Sequence, residues 1–346
     1  MKKEYDFVFL TNTPSFYKLN LCNEIAKTHS LLLVLYGYGA EAVNKDLSDK
    51  NQYLFDVYFL HNYNSHKRNK IKTFIRLLSL MYSIKAKKVL YSGWIAPEYN
   101  IYSFLSPKSK NAVICESTIW ESSLKGVKGW IKRQIINRMS VALPSGIPHK
   151  ELFTSIGYKG KINTTGSVGI INKKERKDNN LNNPLKYIYV GRLIELKNIS
   201  LIIDTFNKNG KPLTIVGKGE LEKELKDRAN KNIEFIGFVE NEELADIYQS
   251  HDVFILPSNY EPWGLVVEEA LYWGLPVIVS NKIGCSLDLV SELGTGVIFQ
   301  LNKRNSLDNA IEEIEKNYNA YKQNVISIDW KERDKKQIEA YTSTIK

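Results

Sequence analysis

The chain has 346 residues, of which 43% are hydrophobic and 25% charged, with twenty glycines and ten prolines. That length predicts about two domains, and the composition excludes a disordered tail, a collagen-like chain and a small disulfide scaffold. The net charge of +10 is uneven: residues 1–172 carry 24 Lys and Arg against 11 Asp and Glu, whereas residues 173–346 carry 24 against 27.

The N-terminus, MKKEYDFVFLTNTPSFY, reads as a first β-strand over 6–12 rather than a signal peptide. Further strands are predicted at 30–38, 88–93 and 111–117. Between 57 and 97 there is no acidic residue, and within that stretch lies KRNKIKTFIRLLSLMYSIKAKK, residues 67–88. Its apolar residues recur at three- and four-residue steps, which predicts a helix. A second basic stretch, KGVKGWIKRQIINR (125–138), adds Trp130 to five cations. A basic amphipathic helix can lie on an anionic membrane, or it can bury its apolar face in the core and leave its lysines solvated. Nucleic acid is not expected, because no helix-turn-helix, zinc or RNA-recognition pattern accompanies the charge. Cys22, Cys115 and Cys285 have no metal-ligand spacing and read as reduced cytosolic thiols. No apolar run approaches the ~20 residues that span a bilayer.

KKERKDNNLNNP (173–184) is polar, asparagine-rich and ends in proline, which is linker chemistry. Beyond it strands are predicted at 185–191, 211–217, 233–238, 252–258, 275–280 and 296–300, with amphipathic runs at 223–230 and 243–249 and a final helix over 329–346. Alternating strands and helices imply two α/β domains built on doubly wound parallel sheets. Ligands of such sheets bind beyond the strand C-termini, so two of them would face a cleft.

The residues just past the strands are therefore the informative ones. Arg192 and Lys197 come after the strand at 185–191, where two cations can bracket a diphosphate; two surface cations in a loop are the plainer reading. Gly217 and Gly219 flank Lys218 at a strand-to-helix turn, where missing side chains permit close approach to a ligand. The densest segment is SNYEPWGLVVEEALYWGLPVIVS (258–280). A helix over 265–272 would present unpaired N–H groups at Gly264, Leu265 and Val266, an anion site by geometry and dipole. Glu261 and Glu269 stand eight apart, and a carboxylate can accept hydrogen bonds from vicinal hydroxyls. Alternatively Glu268 and Glu269 merely favour the helix dipole.

Together VGRLIELKNI (190–199), TIVGKGELE (214–222), the stretch 233–258 and EPWGLVVEEALYWGLPVI (261–278) resemble the retaining glycosyltransferases of family four, which have the GT-B fold of two Rossmann-like domains facing a cleft. The resemblance is strong over 185–300 and loose before it. It implies an N-terminal acceptor-binding domain over 1–172 with a C-terminal helix near 330–346 packing back on it, and a nucleotide-sugar domain over 185–329. By resemblance Arg192 and Lys197 hold the donor diphosphate and stabilise the leaving nucleotide. Glu261 holds hydroxyls of the donor sugar and Glu269 those of ribose. Gly264, Leu265 and Val266 meet sugar and phosphates, Gly217 lies beside the donor, and Phe238 and Val239 hold the base by main chain. A UDP- or GDP-type donor is implied, with no metal and no other cofactor. Asn12, Thr13 and Pro14 are placed near the acceptor. Many members carry a histidine after the fourth strand; here Glu116 takes that place, with a role in orienting acceptor or sugar, or in capping the next segment of chain.

The implied activity is transfer of a hexose-type sugar to a glycan, such as a polyprenyl-diphosphate-linked oligosaccharide in O-antigen or capsule assembly. It would act in the cytoplasm, peripherally on the inner face of the plasma membrane through the basic first domain. The alternatives are an inactive nucleotide-binding scaffold subunit and a GT-B-fold sugar-nucleotide epimerase.

Overall fold

The computed structural model describes residues 2–12, 15–37, 53–61, 69–94, 96–176, 184–241 and 243–345. Thr13, Pro14 and most of the predicted linker, 177–183, lie outside these residues. The chain divides into two compact units, Met1–Asn172 with Lys331–Lys346, and Lys173–Trp330. Each is built on one parallel sheet.

Unit 1 has the seven-stranded order β3-β2-β1-β4-β5-β6-β7. The strands are β1 (Lys3–Thr11), β2 (Leu31–Leu35), β3 (Asp56–Phe59), β4 (Ile84–Ser92), β5 (Asn111–Cys115), β6 (Val141–Pro144) and β7 (Lys161–Ile162). Between them come α1 (Phe16–Ala26), α2 (Lys70–Ser83), α3 (Pro97–Leu105), α4 (Gly126–Asn137) and α5 (Ile147–Ser155). β2 and β5 are buried at every position, which is why they read as unbroken apolar runs rather than alternating ones. One face of the sheet packs on Leu77, Tyr99, Ile136 and Phe153 from α2 to α5. The other packs on Leu19, Cys22 and Ile25 of α1 and on Tyr341.

The predicted helix over 67–88 needs correction. The helix ends at Ser83, and residues 84–92 form β4, paired with β1. Ile84 and Val89 are β-branched, and Lys85, Lys87 and Lys88 sit on the strand where helical periodicity placed them on a helix face. Lys87 pairs with Asp6 at 2.8 Å, and Lys88 is buried and donates to the Ser109 carbonyl at 2.7 Å. At the other end the Asn69 side chain accepts from the N–H groups of Ile71 and Lys72, an N-cap that starts the helix.

Unit 2 has the six-stranded order β10-β9-β8-β11-β12-β13. Its strands are β8 (Tyr187–Val190), β9 (Leu213–Val216), β10 (Ile233–Gly237), β11 (Val253–Leu256), β12 (Val277–Ser280) and β13 (Gly296–Phe299). Its helices are α6 (Ile199–Asn209), α7 (Glu222–Arg228), α8 (Leu244–Gln249), α9 (Leu265–Tyr272), α10 (Ser306–Lys316) and α11 (Tyr318–Ile326). In α6, Ile199, Ile202, Ile203 and Phe206 are the buried helical stripe, and Gly210, in the left-handed region, ends the helix with its N–H on the Phe206 carbonyl. The last helix, α12 (Trp330–Thr342), returns to unit 1. There Asn163 donates to the Ala340 carbonyl at 3.0 Å, Arg333 donates to the Gly166 carbonyl at 2.9 Å, and Tyr341 is buried.

Candidate functional site

In both sheets the strand order reverses once. In unit 2 the reversal falls between β8 and β11, and in unit 1 between β1 and β4. Loops leaving the C-terminal ends of such strands diverge to opposite faces and open a crevice there.

Around the unit 2 crevice stand the predicted donor residues. Arg192 comes directly after β8; its guanidinium is exposed and forms no hydrogen bond or ion pair among the described residues. Tyr189, buried on β8, donates its hydroxyl to the Arg192 carbonyl at 3.0 Å and so fixes the turn that carries the guanidinium. Lys197 ends a short 3-10 turn, Glu195–Lys197, after which Asn198 takes a left-handed conformation and enters α6. The Lys197 ammonium pairs directly with the Glu261 carboxylate, and both are largely sheltered from solvent. Glu261 is itself held by its backbone, its N–H on the Lys282 carbonyl at 3.0 Å and its carbonyl on the Gly284 N–H at 2.9 Å. Lys197 and Glu261, 64 residues apart, are therefore one unit.

The loop after β11 leads into α9 through Gly264, whose φ of 98° suits glycine. A Cβ there would sit 2.8 Å from the Ile283 side chain. Leu265 and Val266 open the helix half-buried, and first-turn amides have no intrahelical acceptor. The two acidic residues of α9 part company. Glu268 accepts from the Trp263 indole N–H at 2.8 Å. Glu269, 8% exposed, faces the buried Tyr248 hydroxyl, which donates to it at 3.5 Å. Burial, and secondarily the neighbouring Glu268, pushes the Glu269 carboxyl up to about 7.

Glycines bring the neighbouring loops together. A Cβ on Gly217 would lie 1.9 Å from the Gly191 carbonyl oxygen, and one on Gly219 would lie 2.2 Å from that of Leu193. Gly217 donates its N–H to the Gly237 carbonyl at 2.7 Å, which ties the β9 and β10 ends together. Beyond Gly237 the Phe238 ring is exposed and Val239 is half-buried. His251, beside Asp252, is structural: its Nδ1–H donates to the Ile247 carbonyl at 2.7 Å, leaving Nε2 to accept from the Thr214 hydroxyl at 2.8 Å.

Unit 1 has a crevice of its own, a cavity of ≈ 270 Å³ at the β1/β4 reversal. Asn12 and Glu116 line it. Glu116 does not cap the next segment; it pairs with Lys18 of α1 at 3.0 Å. Lys18 is 8% exposed, and the carboxylate keeps its ammonium charged against the cost of burial. The Ser15 and Ser92 hydroxyls, which line the same cavity, are buried with no hydrogen-bond partner. Tyr17, Trp94 and Tyr99 supply aromatic wall. Buried hydroxyls are ordinarily satisfied, so these two call for a polar partner, water or ligand, inside the cavity.

Sequence reasoning found Glu116 and Asn12 but missed Lys18, Ser92, Trp94 and Tyr99. It also missed Tyr189 and Tyr248 behind the unit 2 residues. The aromatic residues read as ordinary strand and helix apolar positions, and nothing in the local pattern of α1 marks Lys18 as buried.

Residues 171–327 match the family described as glycosyl transferases group 1. The matched stretch falls on unit 2. An uncharacterized glycosyltransferase of Methanocaldococcus jannaschii is 29% identical over 162 residues, 44% of this chain and 39% of that protein. The match thus spans well under half of that relative's length. The lipopolysaccharide outer core galactosyltransferase WaaB in its apo form superposes with a TM-score of 0.74 at 12% identity, covering 97% of this chain and 99% of that one. Anabaena HepE in complex with UDP superposes with a TM-score of 0.69 at 16% identity, covering 99% and 95%. With two parallel α/β sheets and these neighbours, the fold is GT-B. Among the described residues no group of His, Cys, Asp and Glu is placed to hold a metal ion, and no helix is long and apolar enough to cross a membrane.

Proposed function

We propose that this protein is a retaining glycosyltransferase that moves a hexose-type sugar from a nucleotide-sugar donor to a glycan. The observation that carries the reading is the Lys197–Glu261 pair at the β8/β11 reversal, placed with Arg192 and the amide-bearing start of α9 within the family-matched segment. Arg192 supplies a fork of donors and Lys197 a point charge to the donor diphosphate. The first-turn amides of Leu265 and Val266 add the positive end of the helix. These groups carry the neutralisation that a metal ion would otherwise supply. Glu261, already oriented by Lys197, accepts from hydroxyls of the donor sugar. Glu269 accepts from the ribose diol, and Gly217, Phe238 and Val239 border the nucleotide.

In the reaction the bond from the anomeric carbon to the diphosphate oxygen breaks, and the acceptor oxygen bonds to the same face of that carbon. The acceptor hydroxyl proton passes to the departing phosphate oxygen. Charge grows on the diphosphate as this bond breaks, so cations fixed there favour the transition state over the bound substrate.

The acceptor belongs to unit 1, where Glu116, Lys18, Asn12 and the hydroxyls of Ser15 and Ser92 meet its hydroxyl groups. A polyprenyl-diphosphate-linked oligosaccharide of O-antigen or capsule assembly, met at the inner face of the plasma membrane, suits the basic charge of this half. The activities named for WaaB, and the UDP held by HepE, support a nucleotide-sugar reading.

The test is calorimetric titration with UDP, GDP, dTDP and CMP, without added metal, of the wild type and Glu269→Ala. One nucleoside diphosphate bound by the wild type and lost in the variant supports the reading and names the donor class. Absence of binding by all four overturns it.

A further inference from the structure

Helix α4 wears its apolar stripe on the outside. Val127, Trp130 and Ile131 keep the i, i+3, i+4 spacing of one helix face, and all three are exposed, Trp130 to 59%. The neighbouring α3 does the same with Ile101, Phe104 and Leu105, and α2 with Ile71, Ile75 and Tyr82. More than half of the exposed large apolar side chains among the described residues thus lie on three adjacent helices of one sheet face. Such concentration marks an interaction surface rather than scattered exposure.

Between α3 and α4 the surface sinks into a groove of ≈ 430 Å³ lined chiefly by Trp94, Ile101, Phe104, Trp130 and Ile131. On its wall Asn100, 3% exposed, has neither its amide nitrogen nor its amide oxygen hydrogen-bonded. The rim is cationic. Lys125, Lys128 and Arg133 are exposed along α4, and the Lys132 ammonium lies 5.2 Å from the Trp94 ring centre. The acidic residue of these three helices, Glu98, is buried and accepts from Tyr36 at 3.1 Å.

We infer that the α2–α3–α4 face docks on an anionic phospholipid bilayer, with Trp130 and Phe104 among the acyl chains and the α4 cations at the headgroups. Charge decides the occupant. A second copy seated through the same face would bring the rim cations together with only Glu121, the exposed acid beside Lys132, to offset them, whereas a bilayer of anionic lipid complements both apolar stripe and basic rim. A lipid, polar at one end and apolar along its length, also suits a greasy groove with one unsatisfied amide. Trp94 lines both this groove and the polar cavity of unit 1. Docking here would set that cavity at the membrane surface, which deepens the lipid-linked acceptor reading and rests on it only for its purpose.

The test is sedimentation of the full chain with vesicles of phosphatidylcholine containing 30% phosphatidylglycerol, against pure phosphatidylcholine, with UDP titration run on every variant. The wild type should bind the anionic vesicles at least tenfold more strongly. Trp130→Glu with Phe104→Glu, and separately Lys125→Glu with Lys128→Glu and Arg133→Glu, should each lose at least tenfold while binding UDP as the wild type does. Reversal of the exposed Lys208, Lys223 and Lys231 of unit 2 should change nothing. Equal partition to both vesicle types, equal loss in the unit 2 control, or a concentration-dependent dimer abolished by Trp130→Glu would each overturn the inference. Vesicle binding without binding of any of UDP, GDP, dTDP or CMP would instead remove the transferase reading and leave this one standing.

Discussion

Each unit places a lysine–glutamate pair at the point where its strand order reverses, and the two pairs have different surroundings. In unit 2, Lys197 and Glu261 stand with the unpaired Arg192 and the open amides of α9. In unit 1, Lys18 and Glu116 stand with uncharged hydroxyls and the rings of Tyr17, Trp94 and Tyr99. The pair itself is neutral in both places, so the neighbours set the ligand. Surplus cation and helix amides suit an anion such as a diphosphate. Compensated charge, orphan hydroxyls and aromatic walls suit an uncharged polyol. One fold repeated in one chain thus offers two chemistries through a handful of side chains beyond its strand ends.

The comparison is broken most severely at the diphosphate cations. Arg192→Ala and Lys197→Ala should each lower turnover by about a thousandfold, or ~4 kcal/mol of transition-state stabilisation, with circular dichroism unchanged. Near-normal turnover in both would remove unit 2's claim to an anion. Gly217→Ala comes next, because its Cβ would press on the Gly191 carbonyl at 1.9 Å with φ at 137°. Thermal unfolding should report a loss of about 3 kcal/mol, and a loss below ~1 would mean that the β8 and β9 ends are not held by this contact. In unit 1, Lys18→Met leaves Glu116 without its cation. Glu116 keeps some exposure to water, so the loss should be about 1–2 kcal/mol rather than the full cost of an orphaned buried charge. Nucleotide affinity should be unaltered, and a matching loss of it would end the division of labour between units.

The last effect concerns protons. Glu269 holds its proton up to about 7 in the folded protein, against an ordinary 4.5. The folded state therefore binds more protons than the unfolded one between those values, and Glu269's contribution to stability falls as pH rises through them. Glu269→Gln should melt higher than wild type at pH 8, by at most ~3 kcal/mol, and show no such gain at pH 4. Only the ionised carboxylate accepts from both hydroxyls of a diol. Wild-type nucleotide affinity should accordingly rise about tenfold, ~1.4 kcal/mol, from pH 6 to pH 8. A flat profile would mean that Glu269 does not meet the ribose.

The units also differ in how far their sites could be read before the fold was known. In unit 2 the informative residues come directly after buried strands, and α9 runs over the predicted 265–272. Each chemical group there sits within a short run that punctuates strand and helix. Unit 1 was less legible. Lys18 and Glu116 are far apart in sequence, and a lysine in the first turn of a helix looks solvated until a carboxylate from another loop is brought against it. The helix at 67–88 was overextended because Ile84 falls three residues after Met81, although IKAKK beyond it alternates apolar and charged residues as a strand does. The pairing of 84–92 with β1 overrode that rhythm, since a strand flanked by partners on both sides satisfies every backbone group in the ladder.

Composition and period, which are local quantities, determined the alternation of strands and helices, the parallel α/β class, the glycine-capped start of α9 and the excess of cations in residues 1–172. Which face of an amphipathic helix is covered is not local. The stripe of α4 at Val127, Trp130 and Ile131 has the spacing of a core face, yet it is exposed. Burial of Lys18, the joining of Lys197 to Glu261 and the parting of Glu268 from Glu269 were likewise decided by the tertiary structure. A side chain's charge state and partner depend on what other segments bring within a few ångströms of it, and only the folded chain sets those distances.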